Sequence, residues 1–544
     1  MNNDAKITLD SKLTVAEILR RFPVAEPILA ARGLDTCCGG SHPLEEACQA
    51  HGIPVADVLI QLREAIALSS SAPAALVPSG VVNEGSAKGA SCASKRPVAA
   101  EAQKFSPGFL IASLVITLTL GAGSGLFYLW RIGMGADVPL SHRQIHAHSQ
   151  VLGFAALFIM GIALHALPRM LGAPLLAARL RSAILWLMVS GVVLRNLAQP
   201  FAYFTVGRVL AIASGLLEAG AGTIFVLYVF GVLRDLPKGS KDPLRVFLPV
   251  AMSALLVALG LSVAQGSWLA AQRDATLPIT LTEPFYLMCL QGFVLASIFA
   301  FAGRMVPVFL GIGPARRGTF GVAATLQSVG LMAGLLSFLP SLESASVPLR
   351  DAGSLCLALA AIAYLAGTGI LWRGARGPLV AAPGSPHIAI RVAFSSLALW
   401  ATLTISSLGL AYATTFPARN PWWTDSARHV FTIGFLTLLV IGISFRVLPV
   451  FSGKTLYSPG LAQTTYALMV VGVLMRLLQY PAAYHPVLYQ VGSYMGIPVV
   501  IALILFTVNM MKTVRPRQVA VAPANRSTAP TVPAQAFVST LPSR

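Results

Sequence analysis

Charge is what this sequence has least of. Only 11% of its 544 residues are Asp, Glu, Lys or Arg, against 56% hydrophobic residues and a mean hydropathy of +0.73. That balance excludes a soluble globular protein of this size. Acids are the scarcer sign, 20 against 39 basic residues, for a net charge of +19. The basic residues are spread over loops rather than gathered on one face, so membrane topology accounts for them and no nucleic-acid partner is expected. Cysteine is also scarce, with Cys37, Cys38 and Cys48 near the start, Cys92 further on, and Cys289 and Cys356 in apolar stretches. A disulfide framework is not expected, and the clustered three point to redox or metal chemistry. Gly-rich phosphate loops, nucleophile elbows and zinc-protease motifs are absent. No cleavable signal peptide is expected, because residues 1–66 are polar, slightly acidic and helical in pattern.

What the chain does have is long apolar runs. Runs near 108–130, 146–168, 181–204, 208–233, 244–267, 284–306, 318–340, 352–373, 389–413, 428–450, 461–481 and 486–511 each approach the length of about 20 residues that a helix needs to cross a bilayer. The predicted fold is an all-α polytopic membrane protein of 12 helices; short alternating strands, the mark of a β-barrel, are missing. Arg169, Arg179, Arg181, Arg234, Lys238, Lys241, Arg245, Arg316, Arg317, Arg373, Arg376, Lys512, Arg515 and Arg517 fall in loops on one side. Asp137, Asp274, Glu343, Asp351 and Asp425 mark the other. Both termini are therefore expected in the cytoplasm.

The domain plan reads as a cytoplasmic helical head over 1–67, a flexible Ser/Ala/Gly/Pro linker over 68–105, a membrane domain over 106–512 and a disordered tail over 513–544. In the head, Thr14 with Glu17 forms a capping box, Gly33 closes a second helix, Pro43 suits the first turn of a third, and Pro54 opens a fourth ending near Ile66.

One pattern recurs three times. Gly153-Phe154, Gly292-Phe293 and Gly434-Phe435 are followed at one offset by Pro168, Pro307 and Pro449, then by Gly172, Gly311 and Gly453. It divides the membrane domain into pseudo-repeated four-helix units at about 106–235, 243–374 and 388–512. Five residues before the glycine, the first and third copies carry His148 and His429, the second Leu287. Helix packing explains the glycines and prolines but not a repeat-equivalent pair of histidines, which suggests a haem or metal held between them. The alternative is that each histidine caps a helix or faces headgroups. His146 lies two residues from His148, a rotation of roughly 200°, so the two cannot face one haem from a regular helix, and His146 is assigned to a second metal site or access path. His142 and His485 are on the same side.

Arg195 precedes Pro200 by the interval at which Arg476 precedes Pro481. Both arginines fit haem propionates through charge-assisted hydrogen bonds, or else snorkel to the interface. Glu218 is either a proton-path group or a hydrogen-bonded structural carboxyl. Next to Gly39-Gly40, Cys37 and Cys38 can attack a nitrosyl, bind copper or iron, or exchange a persulfide, with Cys48 as a resolving or co-ligating thiol; small core residues are the alternative.

Three resemblances bear on these residues. Twelve helices in three units, with histidines on helices 2 and 10, resemble subunit I of the haem–copper oxidases, where the corresponding histidines hold a low-spin haem. Thr282-Glu283-Pro284-Phe285-Tyr286 looks like a degraded form of that family's copper motif, with Thr282 in the histidine's place and Ala427 where a second haem's ligand would stand. By that comparison the oxygen-reducing centre is missing.

His146-Ala147-His148 leading into Gly153-Phe154, Gly303-Arg304-Met305-Val306-Pro307-Val308-Phe309 and Arg446-Val447-Leu448-Pro449-Val450-Phe451 resemble the NnrS family over roughly 105–512. That family is associated with nitric oxide stress and described as binding haem and copper. Leu34-Asp35-Thr36-Cys37-Cys38-Gly39-Gly40, followed by Leu44-Glu45-Glu46-Ala47-Cys48, is similar to the N-terminal domain of the ScdA/RIC family of iron–sulfur cluster repair over about 8–66; nothing here resembles that family's di-iron domain.

Together the resemblances imply a protein of the nitric oxide stress response in the bacterial inner membrane. Haem b is its expected cofactor, with copper as a further metal and iron or another metal at Cys37, Cys38 and Cys48. Nitric oxide and a quinol or redox partner are the expected partners besides the bilayer. A quinol-dependent nitric oxide reductase and a haem or copper carrier are the alternatives.

Overall fold

The computed structural model describes residues 9–25, 28–29, 34, 43–50, 53–71, 107–171, 173–234, 242–312, 315–376, 380, 382–413, 421–451, 454–482 and 484–514. Cys37, Cys38, Gly33, Cys92, Gly172, Gly453 and the predicted tail from Arg515 onward lie outside these residues.

In the head, α1 (Val15–Arg21) starts at the expected capping box, with Thr14 Oγ1 accepting the Glu17 N–H at 3.2 Å and Glu17 Oε2 accepting the Thr14 N–H at 3.1 Å. Helix α2 (Leu44–Ala50) follows Pro43, and α3 (Val55–Ser71) follows Pro54. Helix α3 runs past the expected end near Ile66, because Ala65, Ile66, Ala67 and Leu68 include good helix formers with no breaker among them. Apolar residues at helical spacing build a small core of Val15, Ile18, Leu29, Leu34, Leu44, Val58 and Leu62, each no more than 2% exposed. Cys48 belongs to that core and is fully buried.

Twelve helices among the described residues are long and apolar enough to span a membrane, as predicted. They are α4 (Gly108–Gly133), α5 (Leu140–Leu171), α6 (Ala178–Phe201), α7 (Thr205–Arg234), α8 (Pro243–Gln272), α9 (Ile279–Leu310), α10 (Gly318–Leu336), α11 (Pro340–Thr368), α12 (Pro386–Ala413), α13 (Trp422–Pro449), α14 (Pro459–Leu477) and α15 (Pro486–Val514). Burial separates them into two layers. The central windows of α5, α9 and α13 are 83%, 78% and 78% buried, against 28–50% for the other nine. The three helices that carry the sequence repeat therefore form the interior, and the rest present apolar faces outward, as lipid requires. Helix α15 packs on α4, joining the last span to the first.

The repeat is also conformational. Gly153-Phe154, Gly292-Phe293 and Gly434-Phe435 each fall in an eight-residue π-helical stretch, Ser149–Ala156, Leu287–Val294 and Val430–Thr437. A fourth such stretch, Thr117–Gly121, interrupts α4. The repeat glycines are sites of close helix approach: a Cβ at Gly153 would lie 2.5 Å from Ile116 Cγ2, and one at Gly292 2.4 Å from Ala254 Cβ. Gly311 ends α9 in the left-handed region at φ 61°, where a side chain would be strained.

Candidate functional site

Helices α5 and α13 begin six and seven residues before His146 and His429, so these histidines and His148 lie about two turns inside the helix ends near which their sequence position put them. From there the two histidines of α5 face different partners.

His148 turns toward α7. Its Nε2 donates to Glu218 Oε1 at 2.8 Å, and Glu218 Oε2 accepts from Ser262 Oγ of α8 at 2.5 Å. Arg195 of α6 donates through Nη2 to the Ser262 carbonyl at 2.8 Å and to Ser262 Oγ at 3.1 Å. All four residues are 3% exposed or less. Phe285 of α9 stacks on the imidazole, with centroids 5.3 Å apart and planes 10° apart. Gly191 lets α6 approach this carboxylate, since a Cβ there would lie 2.6 Å from Glu218 Cγ. Arg195 and Glu218 are within electrostatic range and balance each other's charge, which makes burial of both tolerable.

His146 turns toward α4, α13 and α14. Its Nδ1 lies 2.9 Å from the Gly121 carbonyl and 3.5 Å from Ser124 Oγ. The Gly121 oxygen can only accept, so Nδ1 carries the proton and Nε2 keeps its lone pair. Gly125 makes room for the ring: a Cβ there would sit 2.5 Å from His146 Cε1. His429, Asp425 and Arg476 are within electrostatic range of His146.

His429 repeats the arrangement, with Nδ1 2.8 Å from the Asp425 carbonyl and 3.3 Å from Asp425 Oδ2, so Nδ1 is again the nitrogen that donates. Gln479 Nε2 donates to Asp425 Oδ2 at 2.5 Å and Arg476 Nη1 to Gln479 Oε1 at 3.1 Å, tying α13 to the end of α14. Arg476 Nε is buried without a hydrogen-bond partner. Beside this shell, Arg428 bridges α13 to α9 through Glu283 at 3.0 Å and lies over the Tyr286 ring.

His429 and Arg476 are thus within electrostatic range of His146, while His148 is bonded to Glu218 and through it linked to Ser262 and Arg195. The two members of the repeat-equivalent pair have different hydrogen-bond partners, Glu218 for His148 and Asp425 for His429. Sequence reasoning missed Ser262, Asp425 as the partner of His429, and Gln479. The last two were findable, because Asp425 precedes His429 by four residues and Gln479 follows Arg476 by three, both same-face helical spacings. Ser262 carried no signal. Tyr128 lies edge-on to His142 with centroids 5.8 Å apart, and His485 faces a surface cavity. Among the described residues no three His, Cys, Asp or Glu side chains gather as a metal-binding group. Cys48 is enclosed in the head core, while Cys37 and Cys38 are outside the described residues.

This architecture, a polytopic helical membrane protein with buried polar clusters between its inner and outer helices, has a family. Residues 102–517 match the family described as NnrS protein, and the chain belongs to it. Residues 11–66 match ScdA_N, a domain described as of unknown function (DUF542), so the head is an ScdA-like N-terminal domain. No curated protein matches the chain.

Proposed function

We propose that this is a haem-binding protein of the nitric oxide stress response in a bacterial inner membrane, with both termini in the cytoplasm, and that His146 and His429 would hold the haem iron. The observation that carries the assignment is the shared direction of two hydrogen bonds. Both imidazoles direct Nδ1 to a backbone carbonyl, which leaves Nε2 as the nitrogen that would meet a metal, the arrangement that orients a histidine for one. Asp425 and Gln479 fix the His429 ring, and Gly125 admits the His146 ring. Arg476 and Arg195 both hold buried guanidinium nitrogens without a partner, Nε of Arg476 and Nε and Nη1 of Arg195, and Arg476, within electrostatic range of His146, would be the residue for a propionate here. Haem iron supplies one-electron redox chemistry and affinity for nitric oxide.

A second reading keeps His148 and His429 as ligands and Arg195 as a propionate partner. The common five-residue offset from the Gly-Phe pairs favours it. It requires His148 to ligate through Nδ1 or to give up Glu218. Under either reading the head's Cys37 and Cys38 sense, scavenge or relay nitric oxide or metal, while Cys48, proposed with them from the sequence, is enclosed in the core. Their neighbourhood in one chain with an NnrS-family membrane domain supports this role. A quinol-dependent reductase would add turnover of nitric oxide, and a haem or copper carrier would release its metal without turnover. Purified full-length protein should show a reduced-minus-oxidised low-spin haem spectrum that shifts when nitric oxide is added. A well-folded, haem-replete preparation without that spectrum would remove the haem reading and favour a metal or solute carrier.

A further inference from the structure

A cavity of about 610 Å³ opens at the end of the bundle where α4 finishes and α15 begins, walled by Met134, Gly135, Tyr484, His485, Tyr489 and Gln490 among others. Its size is that of small-molecule sites. Its chemistry narrows the occupant. Among the described residues that line it there is no Lys, Arg, Asp or Glu, which favours a neutral occupant. Two tyrosines, a histidine and a glutamine offer hydrogen bonds to oxygen atoms, and the tyrosine rings offer flat faces. Met134, a lining residue at 67% exposure, lies just past the end of α4, one of the apolar spans, which suits an occupant carried in the bilayer. The backbone at Gly135, at φ 73°, turns away and leaves open space where a side chain would stand.

We propose that this cavity binds the headgroup of a quinone or quinol, a neutral, flat, lipid-borne ring with two oxygens. Two cavity walls belong to, or pack on, helices that carry the histidine shell. Helix α4 presents Gly121, Ser124 and Gly125 to His146 and ends at the cavity, and Tyr489 lies against Trp422, the first residue of the span that carries Asp425 and His429, with centroids 6.3 Å apart. The inference stands apart from the haem reading, because binding is measured without turnover.

The test titrates ubiquinone-1 into full-length protein in phosphatidylcholine nanodiscs and follows quenching of intrinsic fluorescence, to which Trp422 contributes. The expected result is saturable quenching by wild type, weakened by about tenfold or more in Tyr489→Ala and His485→Ala, each of which removes a hydrogen-bonding group. Met134→Trp, a change at an exposed position, should block the mouth with no effect on thermal unfolding. Excess phosphatidylglycerol should not compete. Quenching that never saturates, equal affinity in all three variants, or displacement by phosphatidylglycerol would each overturn the proposal, the last by assigning the cavity to lipid.

Discussion

His146 and His148 are separated by one residue on one helix, yet they belong to different chemical environments. His148 gives the proton of Nε2 to a fully buried carboxylate that is itself held by Ser262 and balanced by Arg195. His146 gives the proton of Nδ1 to a backbone carbonyl and faces the neighbourhood of His429 and Arg476. The first environment consumes the nitrogen that a metal would need, and the second presents it. Equivalence along a sequence repeat does not decide which histidine is available; the acceptor that captures its proton does.

The largest expected effect lies in the His148 cluster. Glu218→Ala leaves the Arg195 charge buried and uncompensated, and should destabilise the membrane domain by about 3–5 kcal/mol, with smaller loss in Glu218→Gln. Thermal unfolding in detergent reads both. Loss of stability together with a retained haem spectrum would sharpen the contrast, whereas loss of haem from a protein that stays folded would move the site to His148.

Gly125→Val comes next. Its side chain would occupy space now filled by the His146 ring, and the account predicts a weakened or shifted haem spectrum with near-normal expression. Asp425→Asn keeps the backbone carbonyl that accepts from His429 but removes the carboxylate, so haem should be retained at an affinity about 10–100-fold lower. Competition by apomyoglobin measures it.

Cys48 gives a contrast of another kind. Enclosed in the head core, it should react with iodoacetamide only after unfolding. Rapid labelling of the native protein would return it to the role of a resolving thiol. The smallest effect is expected at the partly exposed Arg304–Asp242 pair, 3.3 Å apart, where Arg304→Ala should cost no more than about 1 kcal/mol.

The spans were legible because apolar runs of bilayer length leave little choice of structure. The capping box at Thr14 and Glu17 was legible for a similar reason: the motif is local and its hydrogen bonds need nothing from the rest of the chain. The interior position of α5, α9 and α13 was foreshadowed by the repeat they carry. Rotation along α5 also showed that His146 and His148 must part.

The direction in which each points was not legible. Glu218 and Ser262 lie 70 and 114 residues beyond His148, and only the tertiary packing of α5, α7 and α8 selects them. The π-helical stretch starting at Ser149 also alters the register that a regular helix would give, and no residue pattern announced it. The extension of α3 to Ser71 reflects helix propensity outlasting the composition shift that marked a linker.

The most direct test of the central claim compares haem content and reduced-minus-oxidised spectra of His146→Ala, His148→Ala and His429→Ala, each checked for folding by size-exclusion profile. The account predicts that His146→Ala and His429→Ala lose the low-spin haem signal while His148→Ala keeps it. Loss in His148→Ala with retention in His146→Ala would contradict the account and restore the pairing that the sequence repeat suggested.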